Sequence, residues 1–323
     1  MSTTAYLFRE GTDDADRVEL GEGMVGDLDE HQLLWVDVIA DPDREPELIR
    51  SVDDLLGLGG ALADRAANGR TSIRFAHETV SLVVQGLSDP ERGAVRPVPL
   101  VLVAAPNRVV SLHREPVHHL SEPIAVVAAD PRFGRLAAGT FLGLLLDGML
   151  DGYFHEVERI EQVVDEIDTR ALRSDRSDPL LTDLVAVRSR IAVLRRALAP
   201  QREVFAALVR PVEEPEASPI GCPWPGLPER LERVLEATEN VREQLLGSFD
   251  LVMTRVGQRT NDVMRLLTVI SAVLLPSVVI AGAMGMNFQI PFFADPGNYA
   301  LVVAAMVVLA LVILGFARLR HWI

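Results

Sequence analysis

The 323-residue chain has 46 acidic and 31 basic side chains, a formal net charge of −15 at pH 7, and no lysine. So acidic a body repels nucleic acid and anionic lipid surfaces and attracts cations, which excludes DNA or RNA as a partner and favours metal ions. Its single cysteine, Cys222, excludes a disulfide framework and a thiolate zinc site within the chain.

The N-terminus, MSTTAYLFREGTDDAD, has no apolar run of signal-peptide length, so the first part of the chain is expected to stay in the cytoplasm. Residues 1–130 alternate short β-type runs with turn clusters. The runs are Ala5–Phe8, Leu33–Val38, Ser72–Phe75, Val80–Val84, Val98–Val103 and Val109–Leu112, with helices predicted at Glu45–Leu58 and Ala61–Ala67. This pattern predicts a small cytoplasmic α/β domain.

From Leu136 to Leu172 the period becomes helical. Phe154, Val157, Ile160, Val164 and Ile167 form an apolar stripe, and Glu156, Glu158, Glu161, Asp165 and Glu166 form an acidic face expected to be solvated. The run Thr140–Leu150 is apolar but too short to span a bilayer, and Asp147 interrupts it, so it is expected in a core. A Ser/Asp/Pro turn at Ser174–Pro179 leads to a second helix, with Leu184, Val187, Ile191, Leu194 and Leu198 on one stripe, ended by Pro200. The two helices form a hairpin region, 131–225, closed by the proline-rich stretch Pro211–Pro225. A third helix starts at Pro228, with Glu229 and Glu232 at its positive end. Nothing stops it before Gly285, so residues 226–265 are predicted to stand outside a membrane as a stalk.

Leu266–Met284 is uncharged over nineteen residues and Tyr299–Phe316 over eighteen, long enough for two spanning helices at 266–287 and 299–317. Arg255, Arg259 and Arg265 precede the first span and Arg318 and Arg320 follow the second. The loop 288–298 has no basic residue, so the positive-inside rule puts that loop outside and both termini, with the basic tail 318–323, in the cytoplasm. Tyr299 and Trp322 are placed near opposite interfaces. One hairpin cannot enclose an aqueous path, so any conduction requires several copies around an axis. The second span is aliphatic all round. The first has Asn261, Met264, Thr268, Ser271, Leu275, Val278 and Gly282 on one face, a stripe that fits either tight helix packing or a pore wall.

The triplet Gly285-Met286-Asn287, directly after the first of two C-terminal spans, resembles the signature of the CorA family of magnesium transporters. The likeness extends to Thr260–Ile270, Pro276, Ala281-Gly282, Phe288 and the ending Arg318–Trp322, and more loosely to the acidic helix and the stalk. The resemblance implies a homopentameric, multi-pass protein of the bacterial cytoplasmic membrane, with a cytoplasmic funnel and first helices lining the pore. It implies that Asn287 forms an outer ring of amide oxygens meeting a cation through its hydration water. Mg²⁺ gives up water reluctantly, so neutral acceptors suit it. By position, Asn261 would form a polar ring at the cytoplasmic end, which makes it a second metal-facing residue. Met264, Leu267 and Leu275 would form an apolar constriction, while Gly285 lets the helix end turn and Met286 packs beside it.

Two departures stand out. Met284 occupies a place the family usually gives to an aromatic residue, and the loop has one acid, Asp295. Zinc-transporting relatives share the architecture, so Mg²⁺ and Zn²⁺, Co²⁺ or Ni²⁺ are alternative cargoes; a membrane-anchored scaffold is the alternative of another class. The family's regulatory sites are carboxylates between neighbouring cytoplasmic domains. The matching stalk position falls at Gly226, leaving Glu229 and Glu232 as candidates whose plainer role is favourable charge at a helix start.

No cofactor is expected beyond the divalent cation as substrate and regulator, and no catalysis. A lysine-free chain has no Walker lysine, and with no phosphate loop nucleotide is not expected as a partner. His113, His118 and His119 lie around Pro116, which keeps them off a single helix, and a solvated loop is expected for them. His155-Glu156 is expected at the surface.

Overall fold

The computed structural model describes residues 2–9, 15–21, 28–29, 31–40, 45–76, 79–88, 95–120, 138–173, 178–209, 226–286 and 296–320. It divides into two compact units, Met1–Ile167 with Thr182–Leu246, and Asp168–Leu181 with Gly247–Ile323.

The first unit is built on one sheet. Strands β1 (Ser2–Arg9), β2 (Asp16–Val18), β3 (Gln32–Ile39), β4 (Ser72–Ala76), β5 (Thr79–Leu87), β6 (Pro97–Ala105) and β7 (Arg108–His113) lie in the order β2-β1-β3-β7-β6-β5-β4. Neighbours are antiparallel except β3 and β7, which run parallel with Leu34 opposite Arg108 and Val38 opposite Leu112. A parallel pair needs a long crossover. Here it contains α1 (Glu45–Leu55), α2 (Ala61–Asn68) and the β4–β6 meander.

Both faces of the sheet are covered, which is why β3 and β6 read as continuous apolar runs instead of alternating. On one face Leu34, Val36, Val38, Val83, Val101, Val103 and Val110 pack under Ile49, Val52 and Leu62 of the two helices and Leu56 of the turn between them. The buried Asp53 of α1 ties these helices together by accepting the Leu62 N–H at 3.0 Å and the Gly60 N–H, two donors at the start of α2. Gly57, Gly59 and Gly60 adopt positive φ in the turn between, a conformation glycine adopts without strain.

On the other face α3 (Ala138–Arg173) lays Phe141 against Trp35 and Phe8, ring centroids 5.4 and 5.2 Å apart. The apolar run Phe141–Leu150 is in this core, where its length and Asp147 predict it. Between sheet and helix runs a buried polar chain. Trp35 Nε1 donates to Ser111 Oγ at 2.9 Å, Ser111 donates to Asp37, and His113 places Nε2 3.0 Å from Asp37 Oδ1 and Nδ1 2.7 Å from the Glu115 carbonyl. His113 is therefore a core residue, against the solvated loop expected for it.

β4 begins at Ser72, paired with Val83, so further along β5 Gln85 has a strand, β6, on one side only. Tyr153 Oη (2.8 Å) and Gln201 Nε2 (3.2 Å) donate to its carbonyl, fastening α3 and α5 (Gln201–Val209) to the sheet edge. Burial pushes the Tyr153 phenol well above its ordinary range, so it remains a donor. α5 and the three-residue β2 were not anticipated in the sequence. Pro200 ends α4 (Asp178–Leu198) as predicted, but helix resumes at once, because proline is tolerated where a helix starts.

Glu156 departs from the solvated acidic face expected of α3. It is 1% exposed and accepts from Arg190 of α4 at 3.2 and 2.7 Å, with Arg159 at 2.6 Å, while Glu158, Asp165 and Glu166 face outward. One carboxylate thus clamps the α3–α4 pair. Glu156→Ala leaves two guanidinia without it, and since both are partly solvated we expect a loss of about 2 kcal/mol, read as a lower thermal unfolding midpoint. Gly86 faces a rigid neighbour: a Cβ there would come within 2.5 Å of Val117 Cγ1. Gly86→Ala should cost about 1–3 kcal/mol by the same measurement.

Candidate functional site

The second unit holds the apolar part of the chain. α6 (Leu227–Met284) is one uninterrupted helix of 58 residues, about 87 Å at 1.5 Å per residue, and α7 (Pro296–Leu319) has 24. These two helices are long and apolar enough to cross a membrane. Pro276 lies inside α6 and has no N–H to offer the carbonyl of Ala272, four residues back. The helix remains continuous through it.

Shielding within the unit is confined to one face of each helix. On α6 the shielded positions are Val269, Val273, Pro276, Ser277 and Ile280; on α7 they are Val302, Met306, Ala310, Ile313 and Ala317, spaced four, four, three and four apart. These are the faces on which two helices of a hairpin meet. At about 100° per residue, Asn261, Met264, Leu267, Thr268, Ser271, Leu275, Val278 and Gly282 fall in an arc of about 120° on the opposite side. All of them are exposed, Leu275 by 64% and Met264 by 57%. The hairpin therefore leaves uncovered the stripe singled out in the sequence.

The chemistry of this stripe is drier than its residue names indicate. Thr268 Oγ1 donates to the Met264 carbonyl at 2.7 Å, so its hydroxyl is satisfied on its own helix. Asn261, exposed one turn before the apolar run, is the amide on this face. At the far end the Gly285 N–H donates to the Ala281 carbonyl at 2.9 Å and the Met286 N–H to the Ala283 carbonyl at 3.3 Å. The shift from a four-residue to a three-residue bond marks the helix end. A Cβ on Gly285 would meet the Ala281 carbonyl oxygen at 3.4 Å, and Met286 is exposed. Asn287, Asp295 and Trp322 lie outside the described residues, as does the side chain of Tyr299.

The regulatory candidates stand at the start of α6. Glu232 is held by Arg202 through two bonds of 2.8 and 2.7 Å, so a cation would have to compete for both oxygens. Glu229 is exposed in the first turn. Between them Arg230 lies 2.9 Å from Asp147, pairs with Asp151, and stands 5.8 Å over the Phe154 ring. Burial pushes the Asp147 carboxyl above its usual range, against the pull of Arg230. This pair, invisible in the sequence because 79 residues separate Arg230 from Asp151, locks α6 to α3.

His118 and His119, expected in a solvated loop, are brought together with His155, which is exposed as expected. His118 and His119 have ring centroids 3.8 Å apart, and His155 of α3 stacks on His119 at 4.6 Å. Gly152 allows the approach, since the His118 carbonyl lies 3.4 Å from where its Cβ would be. Among the described residues, no three His, Cys, Asp or Glu side chains are grouped to hold a metal ion.

Comparison with known proteins agrees with this architecture. A family model described as CorA-like Mg2+ transporter protein matches residues 30–318. The chain is 27% identical over 183 residues to the cobalt/magnesium transport protein CorA of Thermotoga maritima, a match covering 55% of this chain and about half, 51%, of that protein. It is 26% identical over 313 residues to the divalent cation transporter CmaX of Pseudomonas aeruginosa, covering 95% of this chain and 90% of CmaX. The complete structure of the CorA magnesium transporter from Methanocaldococcus jannaschii superposes with a TM-score of 0.76 at 17% identity, over 100% of this chain and 99% of the other. The zinc transport protein ZntB of Yersinia enterocolitica is 25% identical over 201 residues, 59% of this chain and 58% of that protein. With a family model spanning nearly its whole length and a matching fold, the chain belongs to the CorA-like Mg²⁺ transporter family.

Proposed function

We propose that this protein is a divalent-cation channel that admits Mg²⁺ to the cytoplasm of a bacterium, assembled as a homopentamer around the exposed stripe of α6. The observation that carries the proposal is the position of that stripe. A helix that spends one face on its hairpin partner and leaves the opposite face bare must cover it with lipid or with other copies. Its mixture of Asn261, small residues and soft apolar side chains suits an axis shared by several copies better than lipid. The second spans then form the lipid-facing ring, with residues 1–130, the 131–225 hairpin region and the 226–265 stalk as the cytoplasmic body. Both termini are cytoplasmic, the spans are 266–287 and 299–317, and the outer loop is 288–298.

In this reading Asn287, with Gly285 and Met286 shaping the turn, presents amide oxygens to a hydrated ion at the outer mouth. Neutral acceptors bond the water shell without stripping it, as a reluctantly dehydrating ion requires. Met264, Leu267 and Leu275 form a constriction that closes by losing its water. Asn261 re-hydrates the ion at the inner end, beside the acidic cytoplasmic body. The membrane potential supplies the driving force: at about −100 mV a divalent ion gains roughly 4.6 kcal/mol on entry, on the order of a thousandfold accumulation. A zinc cargo is the second reading, favoured by the likeness to ZntB and by a loop whose one acid is Asp295.

Liposomes containing the purified protein should take up Mg²⁺ when a negative internal potential is imposed; proton-dependent Zn²⁺ uptake without Mg²⁺ uptake would establish the second reading instead. Asn287→Ala should abolish Mg²⁺ uptake while the oligomer, sized by native mass spectrometry, still assembles. Unchanged flux in that variant would reduce the hairpin to a membrane tether. Leu275→Asn should keep the constriction wet and raise resting flux several-fold.

A further inference from the structure

The first unit holds a feature that the pore does not use. Among the α2–β4 turn, Gln85 of β5, the start of β6 and the end of α4, a cleft of about 540 Å³ opens. Its size falls in the range of small-molecule sites, roughly 300–1,000 Å³. Its lining divides into two chemistries. Pro97, Val193, Ala197 and Pro200 make an apolar wall, and the cationic side chains are Arg70 from the α2–β4 turn and Arg196 from the last turn of α4.

Half of the arginines described in the unit meet a carboxylate, and these two do not. Arg74 pairs with Asp64, Arg96 with Glu115, Arg190 with Glu156, Arg195 with Glu239, and Arg202 with Glu232. Arg196 gives its Nε to the Ala192 carbonyl at 3.1 Å, and among the described residues neither it nor Arg70 meets a carboxylate. Among the described residues no acid lines the cleft. Next to it the buried Arg65 donates to the hydroxyls of Ser81 (3.1 Å) and Ser72 (2.8 Å). In a chain of net charge −15 this is a local concentration of positive charge around an apolar wall.

We propose that the cleft binds a nucleoside di- or triphosphate. Its flat ring would lie on the proline, valine and alanine wall, and its phosphates would reach Arg70, Arg196 and the Thr71 hydroxyl. Two guanidiniums from separate elements select a ligand with several anionic oxygens spread along its length, because each planar fork binds phosphate through paired N–H donors. The apolar wall selects against a bare inorganic anion. The site is unrelated to the phosphate loop that the sequence lacks: it has no lysine and no glycine-rich strand-to-helix turn, so it binds and does not hydrolyse. Since α4 forms one side and the β4–β5 edge the other, an occupant joins the helical layer to the sheet and makes the first unit responsive to nucleotide.

The test uses the full-length protein in lipid nanodiscs, in EDTA so that metal chelation plays no part. The unfolding midpoint is followed against ATP, ADP, adenosine and pyrophosphate separately. ATP and ADP should raise it saturably, adenosine and pyrophosphate much less. Removing each guanidinium should weaken nucleotide binding on the order of tenfold or more. The double variant R70A/R196A should therefore lose the shift while its midpoint without ligand stays that of the parent, both side chains being exposed. The proposal is overturned by an absent or non-saturating shift, by an equal shift in the double variant, or by pyrophosphate matching ATP.

Discussion

In hydrocarbon a backbone N–H or C=O has no water to turn to, so a spanning segment must bond its own polar groups. α6 answers this with 58 residues of unbroken helix, and the rest of the molecule follows from that rod. Its hairpin face is spent on α7, its other face is left bare, and its first turns are fastened into the first unit by Arg230 between Asp147 and Asp151. A helix that ends its apolar run at Gly285 also fixes where the chain turns back. One element thus carries both the Arg230 contacts of the first unit and the apolar run of the second.

The first unit is held by a different balance. Its sheet is covered on both sides, so its stability rests on apolar burial, and the polar groups that must enter are paired in chains. Trp35, Ser111, Asp37 and His113 satisfy one another between sheet and α3. Glu156 is affordable inside because two arginines meet it from the rim. Gln85 shows the same accounting for the backbone: where the neighbouring strand stops, a tyrosine and a glutamine take over its carbonyl.

Much of this was legible in the sequence, for reasons that differ by element. The spans were readable because nineteen uncharged residues have few other uses, and the strands because they are bounded by turns. The stripe on α6 was readable because helical spacing places Asn261, Met264, Leu275 and Gly282 on one side whatever surrounds them. Glu156 and His113 were misplaced because periodicity says which residues share a face but not which long-range partner makes burial tolerable. β2 is three residues held by pairing with β1, a non-local fact. α5 was hidden by Pro200, which ends one helix and permits the next to begin in the same turn. The family likeness marked the triplet at 285–287, yet the cleft beside Gln85 has no motif, since its residues come from four separate stretches of chain.

Pro276 has one more consequence. A helix resists bending because every turn is riveted to the next, and Ala272 is the position where a rivet is missing. α6 stays one continuous helix there, but its resistance to bending is lowest at that turn. That turn separates Met264 and Leu267 on one side from Gly282 and Gly285 on the other. For the channel proposed above, bending at this turn is the one deformation that shifts Met264 and Leu267 relative to the helix end at Gly285.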